Sequence, residues 1–194
     1  MIAVHTNKLH RSIKDLQRQI AVYEDEAAYK ELFFILFNSL TRFATGILQS
    51  KEVAEEVVSD VFVSIWTDRA NLNAIDDLQL YIFIAVKNNS VHKAKQLNKR
   101  TTVSIDEIDV EMESIYQTPE ERVLSTESLN RIETAMNSLP QRARLILKLA
   151  KEDKMRYKDI AALLNISVKT VDNQLAIALK KLTTALGTPF RKKS

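Results

Sequence analysis

Apolar residues recur at helical spacing along most of the chain. Leu9, Ile13, Leu16 and Ile20 form a narrow stripe, with Lys8, Arg11, Lys14 and Arg18 off it. That pattern predicts a leading amphipathic helix packed on the first domain. No tryptophan or phenylalanine anchors the stripe for a membrane-surface role. A second helix is predicted from Glu26 to Ile47. It is apolar almost all round at LFFILF, Leu32 to Phe37, and is therefore expected to be buried, with Gly46 near its end. Ser50 is placed to cap a third helix running through Trp66, which turns Val53, Val57, Val58, Val61, Phe62 and Ile65 inward. A fourth starts at Asp76 or Asp77 and runs to about Leu97.

The periodicity then stops. Thr101 to Gln117 carries no sustained repeat and reads as a linker, reaching on the order of 55–60 Å if fully extended. Thr118-Pro119-Glu120-Glu121 announces a new helix, with a threonine cap, proline at the first helical position and a glutamate to complete a capping box. That helix runs to about Asn137. Pro140 opens another that ends near Lys151, and two short helices come next within Tyr157 to Leu182. The expected architecture is all-α: two small helical domains, 25–100 and 118–186, joined by an acidic linker at 101–117. A helical extension, 1–24, precedes them and a basic tail, 187–194, ends the chain.

Composition narrows the function classes. Two glycines and three prolines in 194 residues leave little material for hairpins or phosphate-cradling loops. With no cysteine there is no disulfide framework and no thiolate metal site, which suits a reducing cytoplasm. The start, MIAVHTNKLHR, lacks the apolar core of a signal peptide. The densest apolar runs, Leu32–Phe37 and Tyr81–Val86, are too short to span a bilayer. A net charge of +3 cannot drive nucleic-acid binding by itself, but the charges are unevenly placed. Lys87, Lys93, Lys95, Lys99 and Arg100 make one basic segment, and Lys180 to Lys193 another. Between them lie Asp106, Glu107, Asp109, Glu111, Glu113, Glu120 and Glu121, relieved only by Arg122. This layout suggests two DNA-facing modules on an unlike linker.

The segment YKDIAALLNISVKTVDNQLAIALKKL, Tyr157 to Leu182, has the pattern of a helix-turn-helix. Ala161 is small enough for close helix crossing, Asn165 tolerates the left-handed turn, and Ser167 can cap the second helix. Val168, Val171, Leu175, Ala178, Leu179 and Leu182 form its expected buried side. Lys169, Thr170, Asn173, Gln174, Ala176, Ile177, Lys180 and Lys181 face out. Amides on that face can pair with adenine, threonine and alanine can meet thymine methyls, and lysines can take guanine or phosphate. Lys158 is placed for a phosphate contact.

On the fourth helix, Tyr81, Asn88, His92, Lys95 and Lys99 share one side, a stacking ring followed by amides and cations that suits single-stranded or distorted nucleic acid. A solvated basic face with Tyr81 half buried is the plainer alternative. On the third, Glu52, Glu56, Ser59, Asp60 and Val63 share the outer side, with Glu55 and Trp66 at its border. Spacing fits a solvated face and a partner surface equally. His92 is far in sequence from His5 and His10, so no metal cluster is expected. No phosphate loop, zinc spacing or nucleophile elbow occurs, and no enzyme, cofactor or small-molecule substrate is expected.

Three segments together resemble the bacterial RNA polymerase sigma factors of the extracytoplasmic-function group. AEEVVSDVFVSIW, Ala54 to Trp66, is similar to that family's polymerase-binding helix. LYIFIAVKNNSVHKAK, Leu80 to Lys95, is similar to its promoter-melting and minus-10-reading helix. SLPQRARLILKLAKEDKMRYKDIAALLNISVKTVDNQL, Ser138 to Leu175, is similar to its minus-35-reading domain. The resemblance spans about Glu26 to Leu182. It implies that 25–100 is a region 2-like domain and 118–186 a region 4-like domain. It implies that Glu52, Glu55, Glu56, Ser59, Asp60, Val63 and Trp66 dock on core RNA polymerase. It further implies that Asp68–Gln79 and the helix after it open promoter DNA, with a flipped base near Asn71 or Asn73. The linker would thread into the polymerase cleft, and an anti-sigma factor is an implied partner. His92 and Lys95 depart from the acidic residue and arginine frequent in the family, and Ile177 from a basic one. The rival expectation is a stand-alone helix-turn-helix regulator whose N-terminal domain senses a ligand or dimerises.

Overall fold

The computed structural model describes residues 11–97 and 134–187. The expected linker, the capping box at Thr118, Leu9, Lys99 and residues 188–194 lie outside the described residues. Every regular element among the described residues is a helix.

Local sequence sets the helix starts. α1 (Ile13–Tyr23) opens on a capping box between Ser12 and Asp15, and it ends at Glu24 in the left-handed conformation, φ 51°. α2 (Glu26–Leu48) opens on Asp25, whose carboxylate accepts from the amides of Ala27 and Ala28 at 2.9 and 3.0 Å. Ser50 caps α3 (Lys51–Thr67) as expected. A short 3-10 helix, Arg69–Ala74, then leads to α4 (Leu78–Leu97). There Asp77 rather than Asp76 makes the cap, accepting from the Leu80 amide at 3.0 Å.

α2 is the hub of this first bundle. Its buried residues Leu32, Leu36, Leu40, Phe43, Ala44 and Ile47 meet α1, α3 and α4. Each fully buried leucine or phenylalanine contributes roughly 1.5–3 kcal/mol relative to exposure. The Phe43 and Phe83 rings meet edge to face at 5.6 Å, and Phe33, Phe62, Tyr29 and Trp66 make a second aromatic group. α2 is the one helix among the described residues long and apolar enough to cross a membrane by length and composition, yet it is the core helix of a bundle. The LFFILF run is not wholly buried, contrary to the sequence expectation. Phe34 is 66% and Ile35 39% exposed, because three packed neighbours do not cover the whole circumference of a helix. Val53, expected inside, is half-buried in the first turn of α3.

The second bundle comprises α5 (Gln141–Lys151), preceded by Pro140, then α6 (Tyr157–Leu164) and α7 (Val168–Leu186), which closes on Gly187 at φ 66°. Residues 134–137 are helical too. Leu139, Ile146, Leu149, Ile160, Leu163, Val171 and Ala178 form its core.

The two bundles touch where Phe43 faces Leu145 and Leu149 across a small gap, and polar contacts surround it. The Ser39 hydroxyl of α2 donates to the Asp153 carboxylate in the α5–α6 turn. Arg42 lies 3.2 Å from Glu152, and the Gln79 side chain donates to the Asp153 carbonyl at 2.8 Å. Arg156 bridges Asp77 at 2.6 Å and Asp159 at 2.5 Å. The Lys87 ammonium donates to the Leu163 carbonyl at 2.8 Å. Beneath them Lys148 is buried, and burial lowers its pKa. Burial pushes the Asp153 carboxyl up to about 6, against the pull of the Ser39 hydrogen bond and of Arg42.

A carboxyl whose pKa is raised by the contact favours that contact while protonated. The contribution is complete below the ordinary carboxylate pKa and is lost as pH climbs through about 6. With dyes on Asn38→Cys and Lys151→Cys in a chain that has no cysteine, energy transfer between the bundles should fall from pH 5 to pH 7.5, the closing equilibrium weakening about tenfold. Asp153→Asn should flatten that dependence. Equal transfer at both pH values in the parent would contradict the assignment.

Candidate nucleic-acid interface

The α6–α7 pair has the geometry its sequence announces. Ala161 is buried where the helices cross, and Asn165 takes the left-handed conformation at φ 54°. The Ile166 amide donates back to the Ala161 carbonyl at 2.9 Å, which ends α6 without a glycine. Ser167 accepts from the Thr170 amide at 3.0 Å, and the two hydroxyls lie 2.8 Å apart. Val171, Leu175 and Ala178 are buried, with Leu179 and Leu182 half-buried beside them. Val168 departs from the expected inward side: it is 44% exposed, because it opens the helix one turn before the packed positions begin.

What remains outside is a continuous face. Lys169, Asn173, Ala176, Ile177, Lys180 and Lys181 are exposed, while Thr170 and Gln174 are half-buried at its edge. Lys158 is exposed on the first turn of α6. Amide and ammonium donors thus project from the second helix of a turn-linked pair, flanked by one cation from the first. That arrangement can present donors to base edges in a major groove and to the phosphates beside it.

A second polar surface lies on the first bundle. Tyr81 (48% exposed), Asn88, His92 and Lys95 face solvent along α4. Beside Tyr81 opens a cleft of about 380 Å³ between α3, the 3-10 helix and α4. Ser64, Asp68, Asn71 and Asn89 line its polar side, and Ile65, Leu72 and Ile75 its apolar side. The structure brings Asn71 to this cleft with Tyr81; Asn73 is exposed and is not part of its wall. Sequence spacing does not single out Asp68 and Asn89, because only the crossing of α3 and α4 makes them neighbours.

The acidic face is on α3. Glu52, Glu56, Ser59, Asp60 and Val63 are exposed, Val63 at 62%. The Glu52 amide and the Ser50 hydroxyl, 2.9 Å away, hold the Glu52 carboxyl below the usual range, so it stays charged. Glu56 pairs with Lys93 of α4 at 2.9 Å. Glu55 and Trp66 sit at the border. Trp66 is partly committed to internal packing, with its ring 4.9 Å from Tyr29 and the Arg69 guanidinium 4.9 Å above it.

Comparison with known proteins finds a family match and similar solved folds. Residues 129–182 match the family described as Sigma-70, region 4. No curated protein matches the chain. Among solved structures, the sigma factor RpoE in complex with the anti-sigma factor NepR from Bartonella quintana is similar with a TM-score of 0.52 at 19% identity, over 84% of this chain and 98% of that one. CnrH, solved in complex with the cytosolic domain of CnrY, is similar with a TM-score of 0.49 at 19% identity, over 90% of this chain and 96% of that one. A region 4 match thus covers the helix-turn-helix of the second bundle, and the chain's helical fold is similar to that of a solved sigma factor.

Proposed function

We propose that the chain is a cytoplasmic promoter-specificity subunit that joins core RNA polymerase, reads two promoter elements and helps to melt the duplex. The observation that carries this reading is the coexistence of three surfaces on one chain. A region 4 helix-turn-helix faces outward on the second bundle. On the first, an acidic α3 with exposed Val63 lies beside a basic α4 that flanks a cleft roomy enough for a base.

In this reading α7 reads the upstream element through Lys169, Thr170, Asn173, Gln174, Ile177 and Lys180, with Lys158 and Ser167 near the backbone. Tyr81, Asn88, His92, Lys95 and Lys99 track the displaced strand, and Glu52, Glu55, Glu56, Ser59, Asp60, Val63 and Trp66 dock on polymerase. Asn71 is preferred over Asn73 for a flipped base, because Asn71 lines the cleft and an amide there can pair with a base edge. Melting then needs no catalytic residue: stacking and backbone contacts offset an unpairing cost of a few kcal/mol. An anti-sigma partner is supported by the RpoE structure, which is solved with one.

The direct test mixes the chain with core polymerase and promoter DNA and monitors strand opening. Open complex without other factors supports the reading. Tight operator binding by the chain alone, with no effect on polymerase, would favour a stand-alone regulator instead. Asn173→Ala or Lys169→Ala should weaken use of the upstream element by about 1–3 kcal/mol while core affinity, measured by titration, stays at the parent value. Charge reversal at Glu52 and Glu56 should do the opposite, lowering core affinity by about tenfold or more, since like charges across an interface cost several kcal/mol. Asn71→Ala should slow opening of the preferred promoter by about tenfold and Asn73→Ala by less, on the usual cost of about 1–3 kcal/mol for a lost base contact. Equal effects of the two asparagine variants would count against the cleft assignment.

A further inference from the structure

α1 carries one residue that breaks its own pattern. Ile13, Leu16 and Ile20 form the inward stripe, and Gln17 sits in the same stripe, 6% exposed. A buried amide must find partners. The Gln17 side-chain nitrogen lies 2.6 Å from the Leu72 carbonyl and 2.7 Å from the Ile75 carbonyl. Both partners are acceptors, so only the amino end of the amide can face them. These carbonyls belong to the end of the 3-10 helix, where a short helix runs out of internal donors. The Leu72 carbonyl also accepts from the Ile75 amide at 3.0 Å, so Gln17 occupies its remaining acceptor site and braces the turn from beneath. Leu72 itself is buried as a plug. A further tie from the α1 end is at the surface, where Arg69 pairs with Glu24 at 2.8 Å.

We infer that Gln17 is a positioning residue for promoter reading: through two backbone carbonyls it fixes the turn that carries Asn71 at the mouth of the cleft. The inference rests on the proposed promoter-reading role of that cleft. It gives α1 a task beyond covering the core. A hydrogen-bonded amide sets the height of the turn more sharply than apolar packing does, because its two bonds have fixed lengths and directions. Gln17 touches no DNA; it acts through the backbone of Leu72 and Ile75.

Two readouts separate this role from a merely structural one. The first is amide hydrogen exchange in the full chain. In the parent, the Ile75 amide should exchange no faster than the amides of α1, since the two open together; exchange far faster than α1 would overturn the proposal without any variant. Gln17→Met keeps the side-chain shape and removes both donors. It should raise exchange across residues 69–75 by about tenfold, leaving α2 and α3 at parent rates. The second readout is open-complex formation by reconstituted holoenzyme on a promoter carrying each of the four bases at the captured position. Gln17→Met should lose about fivefold or more of the discrimination between bases, with core affinity within about twofold of the parent. Ile20→Val, which trims the same helix without touching the turn, should keep both. Unchanged discrimination in Gln17→Met, or the same loss in Ile20→Val, would overturn the proposal. Altered exchange in a chain whose parent holoenzyme opens promoters but shows no base preference would overturn the role while leaving the sigma-factor reading standing. Failure of the parent to open any promoter would remove that reading itself.

Discussion

Burial of α2 is the constraint on which the rest of the first bundle depends. Its inner residues repeat at helical spacing from Ala28 to Ile47, and α1, α3 and α4 each pack on a different part of that cylinder. Once those three helices are placed, sequence register settles their outer faces. The acids of α3 turn out on one side, the stripe of α4 on another, and the 3-10 helix spans the gap between them. The same helix reaches the second bundle through Ser39 and Arg42. A hydrophobic interaction thereby sets the positions of polar groups that do not take part in it.

The contrast between core and domain contact has a functional side. Within each bundle the packing is apolar and close. Between bundles, Phe43 shares a small gap with Leu145 and Leu149, and around it lie hydrogen bonds and ion pairs, two of them solvent-exposed. Pairs of that kind contribute little each, about 0–1 kcal/mol at a surface. In the proposed function, two DNA-reading units held by such contacts can separate when a larger partner takes hold of each. A partner that holds both in register makes the second DNA contact effectively intramolecular, which raises avidity without new contacts. The chain's modest charge of +3 is then no obstacle, because neither bundle has to bind DNA tightly alone.

Local chemistry is legible in the sequence and non-local chemistry is not. Ser50 and Ser167 cap, Asn165 takes the left-handed turn, and the α3 and α4 faces split as their periodicity says, because each depends on neighbours within a few residues. Phe34, Ile35 and Val168 depart from expectation because periodicity shows which residues share a face but not where packing partners end. Gln17 is a polar residue inside an apolar stripe, a signal visible in the sequence yet without meaning there. Its meaning appears only once the chain folds a turn more than fifty residues away against it. Asp153 and Lys148 belong to the same class: their burial arises between elements, where no sequence window reaches. In the cleft, the sequence leaves Asn71 and Asn73 equivalent, and the three-residue turn of the 3-10 helix sets them on different faces, so that Asn71 lines the cleft and Asn73 does not.

The measurement that bears most directly on the account is selection. Core polymerase, with and without the chain, would be allowed to open DNA drawn from a pool of random sequence, and the opened molecules sequenced. The account predicts that only the mixture enriches two short blocks at a fixed separation, one for each bundle. Enrichment of a single block, or the same sequences with polymerase alone, would contradict it.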